Sequence, residues 1–302
     1  MITKNNLGIN LGFANNRFPE PDVWTKIVDC ELNLHNVQFV ADILNPMLKH
    51  YNENYYYEQI KKTVDCIKQH NISVTSMMTS SFTRVNHFSY PDEGYKSAWF
   101  SWFVDFLKMG EMFGAKSAGS HFGIMTVMSL QKKDEIYKNT INCWKELSSV
   151  AKTLGYEYLF FEPMSVEREF GNTIENTEMI LNDINNVSYI PFKLCLDVGH
   201  APHPTQRDYK QWLEKFAKDS IIIHLQQTTL NSSNHSPFTD EYNANGVVDP
   251  KFIINTLNKY NVSPELDFEI SFREKEEIEN TVIPDLKKSV SYWENEINKI
   301  QL

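Results

Sequence analysis

Four strand-like apolar runs in the second half of the chain each end in a residue able to bind a metal. They are Leu159-Phe160-Phe161-Glu162, Leu194-Cys195-Leu196-Asp197, Ile221-Ile222-Ile223-His224 and Leu266-Asp267-Phe268-Glu269. One carboxylate after a hydrophobic run is ordinary, because strands must end and polar residues open loops. Four in succession are different, since parallel strands that close into one barrel bring their C-terminal ends to a single mouth. Glu162, Asp197, His224 and Glu269 would then share one divalent metal ion. The oxygen-rich set with one imidazole suits Mn2+, Mg2+ or Co2+, with Zn2+ admissible. A second imidazole follows in Asp197-Val198-Gly199-His200. Gly199 lets the chain turn sharply, so His200 can face the same cavity and bind a substrate oxygen.

The elements that must position these residues follow from periodicity. Strands are predicted over 7–13, 37–42, 72–78, 116–122, 156–162, 192–197, 221–225 and 266–270. Helices are predicted over 21–32, 55–69, 98–113, 134–154, 174–184, 209–217, from about Pro250, and over 282–297 with Pro284 in its first turn. Gly114 and Gly155 stand just past two of the helices, where a left-handed cap is expected. Eight βα alternations without a linker or composition break predict an α/β chain, a single (β/α)8 TIM-barrel domain over residues 1–302. An open doubly wound sheet would carry a glycine-rich phosphate turn after its first strand. Gly8-Ile9-Asn10-Leu11-Gly12 is not GxGxxG, and GxxxxGK[ST] does not occur. Two loops, 163–173 with Glu167-Arg168-Glu169 and 226–249 with His235, Asp240, Glu241 and Asn243, are longer than a βα connection requires. Both follow metal-ligand strands and are expected to wall or cover a substrate.

Composition narrows the partners. The 302 residues are 41% apolar and 13% aromatic, enough for a sizeable core. With 29 basic against 39 acidic residues the net charge is −10, and the scattered lysines and arginines form no basic stripe, so nucleic acid is a poor partner. Cys30, Cys66, Cys143 and Cys195 show no short pairing and read as buried thiols of a reducing compartment. No secretory signal and no apolar window of membrane-spanning length is apparent, so a cytoplasmic protein without a membrane partner is expected. A homo-oligomer is compatible with this composition.

Phe161-Glu162-Pro163-Met164, Leu196-Asp197-Val198-Gly199-His200, Ile223-His224-Leu225, Phe268-Glu269-Ile270 and the fourth-strand segment Gly119-Ser120-His121-Phe122-Gly123 together resemble the sugar isomerase/epimerase superfamily of xylose isomerase-like TIM barrels. That group holds ketose 3-epimerases, hydroxypyruvate isomerase and inosose dehydratase, and endonuclease IV shares its barrel. In the epimerase branch the resemblance implies one divalent ion on Glu162, Asp197, His224 and Glu269. It also implies that Glu162 and Glu269 are the catalytic pair, one removing a proton beside a ketose carbonyl and the other returning it. Proton transfer through a metal-stabilised enediolate fits that division of labour. His200, His121, His87, Glu169, Arg168 and His235 are the candidate substrate-binding residues.

Two other reaction classes share this barrel. An inosose-type dehydratase begins with the same proton abstraction and then expels a hydroxyl. An endonuclease IV-like phosphodiesterase needs further histidines and an Asp-x-His pair for three zinc ions, where this chain has Asn234-His235; with the acidic charge, that departure disfavours it. A degenerate barrel that only binds sugar is disfavoured because both catalytic carboxylates are present. For the substrate, Arg17, Arg84, Arg168 and Arg273 each follow a strand and could meet a phosphate. Phe13, Trp24 and Phe238 could cover a sugar face, although core packing is the default for aromatics. The expected substrate is a small sugar or sugar phosphate, a short ketose in particular.

Overall fold

Each predicted apolar run forms a short strand: β1 (Leu7–Asn10), β2 (Asn36–Val40), β3 (Ser73–Met78), β4 (Ser117–His121), β5 (Tyr158–Glu162), β6 (Phe192–Asp197), β7 (Ser220–Leu225) and β8 (Glu265–Phe268). All pair in parallel and in sequence order, and β8 pairs back onto β1 to close an eight-stranded barrel. In this computed structural model, residues 1–80, 83, 87–200, 208–272 and 280–301 are described. One main helix follows each strand: α1 (Pro21–Lys26), α2 (Glu53–Gln69), α3 (Glu93–Phe113), α4 (Lys133–Thr153), α5 (Ile174–Asn185), α6 (Tyr209–Phe216), α7 (Pro250–Lys259) and α8 (Val282–Gln301). The barrel read from the sequence is therefore the barrel observed.

Boundaries differ from expectation where local chemistry intervenes. The first strand stops at Asn10 because Leu11–Ala14 curls into a 3-10 turn, with the Asn10 side chain accepting from the Gly12 N–H. The helix predicted over 21–32 is α-helical only to Lys26 and then widens into a π-helical turn, Ile27–Glu31. Helix α3 begins earlier than predicted because Asp92 accepts from the Tyr95 N–H and caps it at Glu93. Gly114 and Gly155 adopt φ of 84° and 82°, the left-handed ends that their positions suggested.

The outer core lies between strands and helices. Trp144 of α4, fully buried, packs against Phe88, Phe103, Phe122 and Phe192 with ring centroids 5.2–6.0 Å apart. Trp293 of α8 does the same for Phe238 and Phe268. Phe13, Trp24 and Phe238 are at most 1% exposed and belong to this core, so none covers a sugar face. All four cysteines are free; Cys66 and Cys195 are buried as expected and Cys143 is half-buried, whereas Cys30 is exposed at the π-helical turn. Among the described residues no helix is long and apolar enough to cross a membrane.

Candidate metal centre and active site

Strand register brings the four predicted ligands to one level of the mouth. His121 of β4 pairs with Glu162 of β5, and Asp197 of β6 pairs with His224 of β7. Glu269 lies one residue past β8, where its N–H bonds the Leu225 carbonyl at 3.0 Å and extends the ladder by one step. His224 Nδ1 is 3.3 Å from Glu162 Oε1 and 3.1 Å from Glu269 Oε2. One donor atom from each of Glu162, Asp197, His224 and Glu269 falls within 4.8 Å of all the others. Adjacent ligands on a cation with bonds of about 2.1 Å stand roughly 3.0–3.5 Å apart, the spacing of His224 Nδ1 from Glu162 Oε1 and from Glu269 Oε2. Moreover Glu162 Oε1, His224 Nδ1 and Glu269 Oε2 are buried with no hydrogen-bond partner among the described residues. Buried polar atoms are rarely left so unless something else meets them. The donor set fits a divalent cation.

Three carboxylates in one buried site need compensating positive charge. Burial pushes Glu162 upward, but the His200 and His224 imidazoles overturn this and hold its carboxyl well below the usual range. Glu269, raised by burial and lowered by His224, comes out at about 2. Burial disfavours a charged His200, yet Asp197 and Glu162 lift it to about 9. His224, similarly opposed by burial, is raised well above its usual value by the Cys195 sulfur and Glu269. Asp197 is the exception, pushed up chiefly by burial. The clustered carboxylates thus favour positive charge at this point of the mouth, which is the role a divalent ion would fill.

No protein-family model matches the chain. It is 30% identical over 297 residues to D-erythrulose 1-phosphate 3-epimerase of Brucella abortus (strain 2308), covering 95% of this chain and 94% of that protein. The chain belongs to the xylose isomerase-like TIM-barrel sugar epimerases. The fold agrees with solved barrels. A Rhodospirillum rubrum protein provisionally named a xylose isomerase superposes with a TM-score of 0.86 at 24% identity, over 96% of this chain and 98% of that one. The D-psicose 3-epimerase of Clostridium cellulolyticum H10, solved with D-tagatose, gives 0.69 at 15% identity, over 97% and 94%. The chain is accordingly a sugar epimerase, an enzyme of the isomerase class.

In this epimerase several predicted substrate residues meet in one cavity, open to solvent and lined by His121, Glu162, His200, His235 and Glu269 together with Thr79 and Ser80. His200 Nδ1 approaches Glu162 Oε1 at 3.3 Å and Asp197 Oδ2 at 3.4 Å, while its Nε2 lies 3.1 Å from His235 Nε2. His121 Nδ1 is 3.1 Å from Glu169 Oε2, and both residues are buried. Arg168 is directed elsewhere: its guanidinium donates to the Met125 carbonyl, tying loop 163–173 to the segment after β4. Arg17 is half-buried in the turn after β1, and His87 opens the 3-10 turn His87–Ser89. Arg84 and Arg273 lie outside the described residues.

Loop 226–249 contributes Gln226, which sequence reasoning missed. Its Oε1 accepts from the His235 N–H at 2.6 Å, and its Nε2 donates to Asp197 Oδ2 at 2.7 Å and faces His235 Nδ1 at 3.0 Å. Asp197, His200, His235 and Glu269 also lie close enough to be a second donor set. Gln226 already presents an N–H where a second cation would need lone pairs, so this set is a hydrogen-bonding wall beside the metal centre. Asn10 and Gln38 were missed as well. Each is a polar residue flanked by apolar ones within a strand, the signature of a side chain turned into the barrel.

Proposed function

We propose that this epimerase is a divalent-metal-dependent 3-epimerase of a short ketose 1-phosphate, of the erythrulose kind, with Glu162 and Glu269 as its catalytic residues. The convergence of Glu162 Oε1 and Glu269 Oε2 on His224 Nδ1, from β5 and from the end of β8, carries this reading. Two carboxylates from opposite parts of the mouth can stand on either face of a carbon held between them. One takes the proton from the carbon beside the carbonyl, and the other returns a proton on the opposite face and inverts the centre. Asp197 anchors the cation: its Oδ1 accepts from the Gly199 N–H at 2.6 Å and its Oδ2 from Gln226, which fixes the carboxylate. His200 and His235 orient sugar oxygens, and the His121–Glu169 pair closes another side of the cavity. Bound by Glu162, Asp197, His224 and Glu269, a divalent cation supplies electrostatic stabilisation of the negative charge that develops when the proton leaves. Mn2+, Mg2+ or Co2+ suits the oxygen-rich donors, with Zn2+ admissible.

The phosphorylated tetrulose is taken from the Brucella relative, whose sequence aligns over almost its whole length. Proton NMR in D2O with Mn2+-loaded, then exchanged, enzyme tests the reading against tetruloses, pentuloses, hexuloses and their 1-phosphates. The expected result is chelator-sensitive loss of the proton beside the carbonyl of erythrulose 1-phosphate, with build-up of its C3 epimer. Loss of water instead of epimerisation, or no exchange with any sugar, would overturn it.

A further inference from the structure

The ring of His224 can face a cation only if its Nδ1 carries a lone pair, and the hydrogen bonds around it determine which nitrogen that is. At the end of β1, Asn10 Oδ1 accepts from the Gly12 N–H at 2.7 Å. A backbone N–H can only donate, so the oxygen of the Asn10 amide is fixed on that side and Nδ2 points the other way. Asn10 Nδ2 lies 2.6 Å from Gln38 Oε1, and since an amide nitrogen can only donate, Gln38 must present its oxygen. The same Gln38 Oε1 lies 2.8 Å from His224 Nε2. An oxygen that already accepts from Asn10 can only accept again, so the proton of the neutral ring sits on Nε2. That leaves the lone pair on Nδ1, the atom facing Glu162 and Glu269.

We propose that Asn10 and Gln38 are positioning residues that transmit the polarity of the Gly12 N–H across the barrel interior and lock His224 in its metal-binding tautomer. This rests on the reading of His224 as a metal ligand. A second observation supports it independently. Gln38 accepts two hydrogen bonds at Oε1 while its Nε2 is buried with no partner among the described residues. An unsatisfied buried N–H is destabilising, and an apolar side chain of similar shape would avoid it. The amide oxygen is the part of Gln38 that the site uses. Cys195 Sγ also lies 3.2 Å from His224 Nε2. As a weak donor and weak acceptor it does not override an amide oxygen.

The experiment compares wild type with Gln38→Met, Gln38→Glu and the isosteric Asn10→Asp. Calorimetric titration of the metal-stripped proteins with Co2+ reads affinity, and nitrogen-15 NMR of histidine-labelled, Zn2+-loaded protein reads the ring tautomer. Gln38→Met, which removes the acceptor, should weaken binding about 10–100-fold. Asn10→Asp replaces the donor by an acceptor, so Gln38 should turn its N–H toward both neighbours and weaken binding at least as much. Gln38→Glu keeps the acceptor and should bind within a few-fold of wild type. Unfolding temperatures in chelator, similar for all four proteins, separate this from misfolding. A wild-type protein that takes up no Co2+ overturns the metal reading, and this inference with it. Tight wild-type binding together with an unaffected Gln38→Met, or with a proton on His224 Nδ1, overturns the inference alone.

Discussion

Gly199 and Gln226 compete for the same space: a Cβ at position 199 would overlap the Gln226 side chain. The glycine is therefore needed for more than the turn after β6. It admits the amide that holds Asp197 Oδ2 and the His235 backbone together. Gly199→Ala should expel Gln226 from between Asp197 and His235 and loosen both. Steady-state kinetics on erythrulose 1-phosphate should show kcat/KM reduced about 10–100-fold, with the unfolding temperature in chelator nearly unchanged. Unaltered kinetics would mean that the loop absorbs the methyl group and that Gln226 does not position the site.

On the proposed mechanism, replacing either Glu162 or Glu269 should separate the two halves of the reaction. Glu162→Gln and Glu269→Gln should each lower epimerisation about 10²–10⁴-fold, the range for loss of a general acid or base. Each variant retains a base on one face, so each should still wash the C3 proton out of one epimer of erythrulose 1-phosphate in D2O, and the two variants should differ in which epimer exchanges. Proton NMR on the two epimers separately reads this directly. Exchange of both epimers by a single variant would contradict a two-face mechanism.

The clustering of Glu162, Asp197, His224 and Glu269 at the barrel mouth was legible because they interrupt apolar runs at the ends of successive strands, and parallel topology does the rest. Asn10, Gln38 and Gln226 carry equal weight in the geometry and were not singled out. An amide in a strand has no metal-ligand signature, and its role depends on which partner the barrel brings across the interior. His224 meets Gln38 at a sequence distance of 186 residues. Local capping was equally hidden: the 3-10 turn after Asn10 and the early start of α3 at Asp92 each depend on one side-chain hydrogen bond that periodicity does not report. Arg168 shows the converse: its place after a strand points to the barrel mouth, and no sequence pattern reports that its guanidinium donates to the Met125 carbonyl.

Metal removal should be visible in stability as well as in turnover. Glu162, Asp197 and Glu269 share one buried site, and a cation that binds only the folded chain stabilises it by about 2.7 kcal/mol at a hundredfold excess over Kd. For a chain of this size that corresponds to roughly 5 °C in unfolding temperature. Scanning fluorimetry in chelator and with excess Mn2+ should show this rise, and Glu269→Gln should diminish it. The absence of a shift with Mn2+, Mg2+, Co2+ and Zn2+ alike would count against the metal centre.

Glu265, at the opposite end of β8 from Glu269, gives a prediction about pH. Burial pushes its carboxyl up to about 7, with only partial relief from the Thr75 side chain, and its Oε2 has no hydrogen-bond partner among the described residues. Two residues along the same face, Asp267 is fully buried and raised further, by burial first and then by Glu265. The folded chain therefore holds the Glu265 proton more tightly than the unfolded chain, whose value is near 4.5. Between pH 4.5 and 7 the unfolded state binds fewer protons than the folded one, so this group's contribution to stability falls as pH rises and is flat outside that window. Glu265→Gln cannot ionise and escapes the loss. Its unfolding temperature should exceed that of wild type by about 2–5 °C at pH 8 and match it at pH 4.5, measured in chelator to keep the metal centre out of the comparison. A difference between variant and wild type that is the same at both pH values would show that Glu265 ionises in the folded barrel as freely as in water.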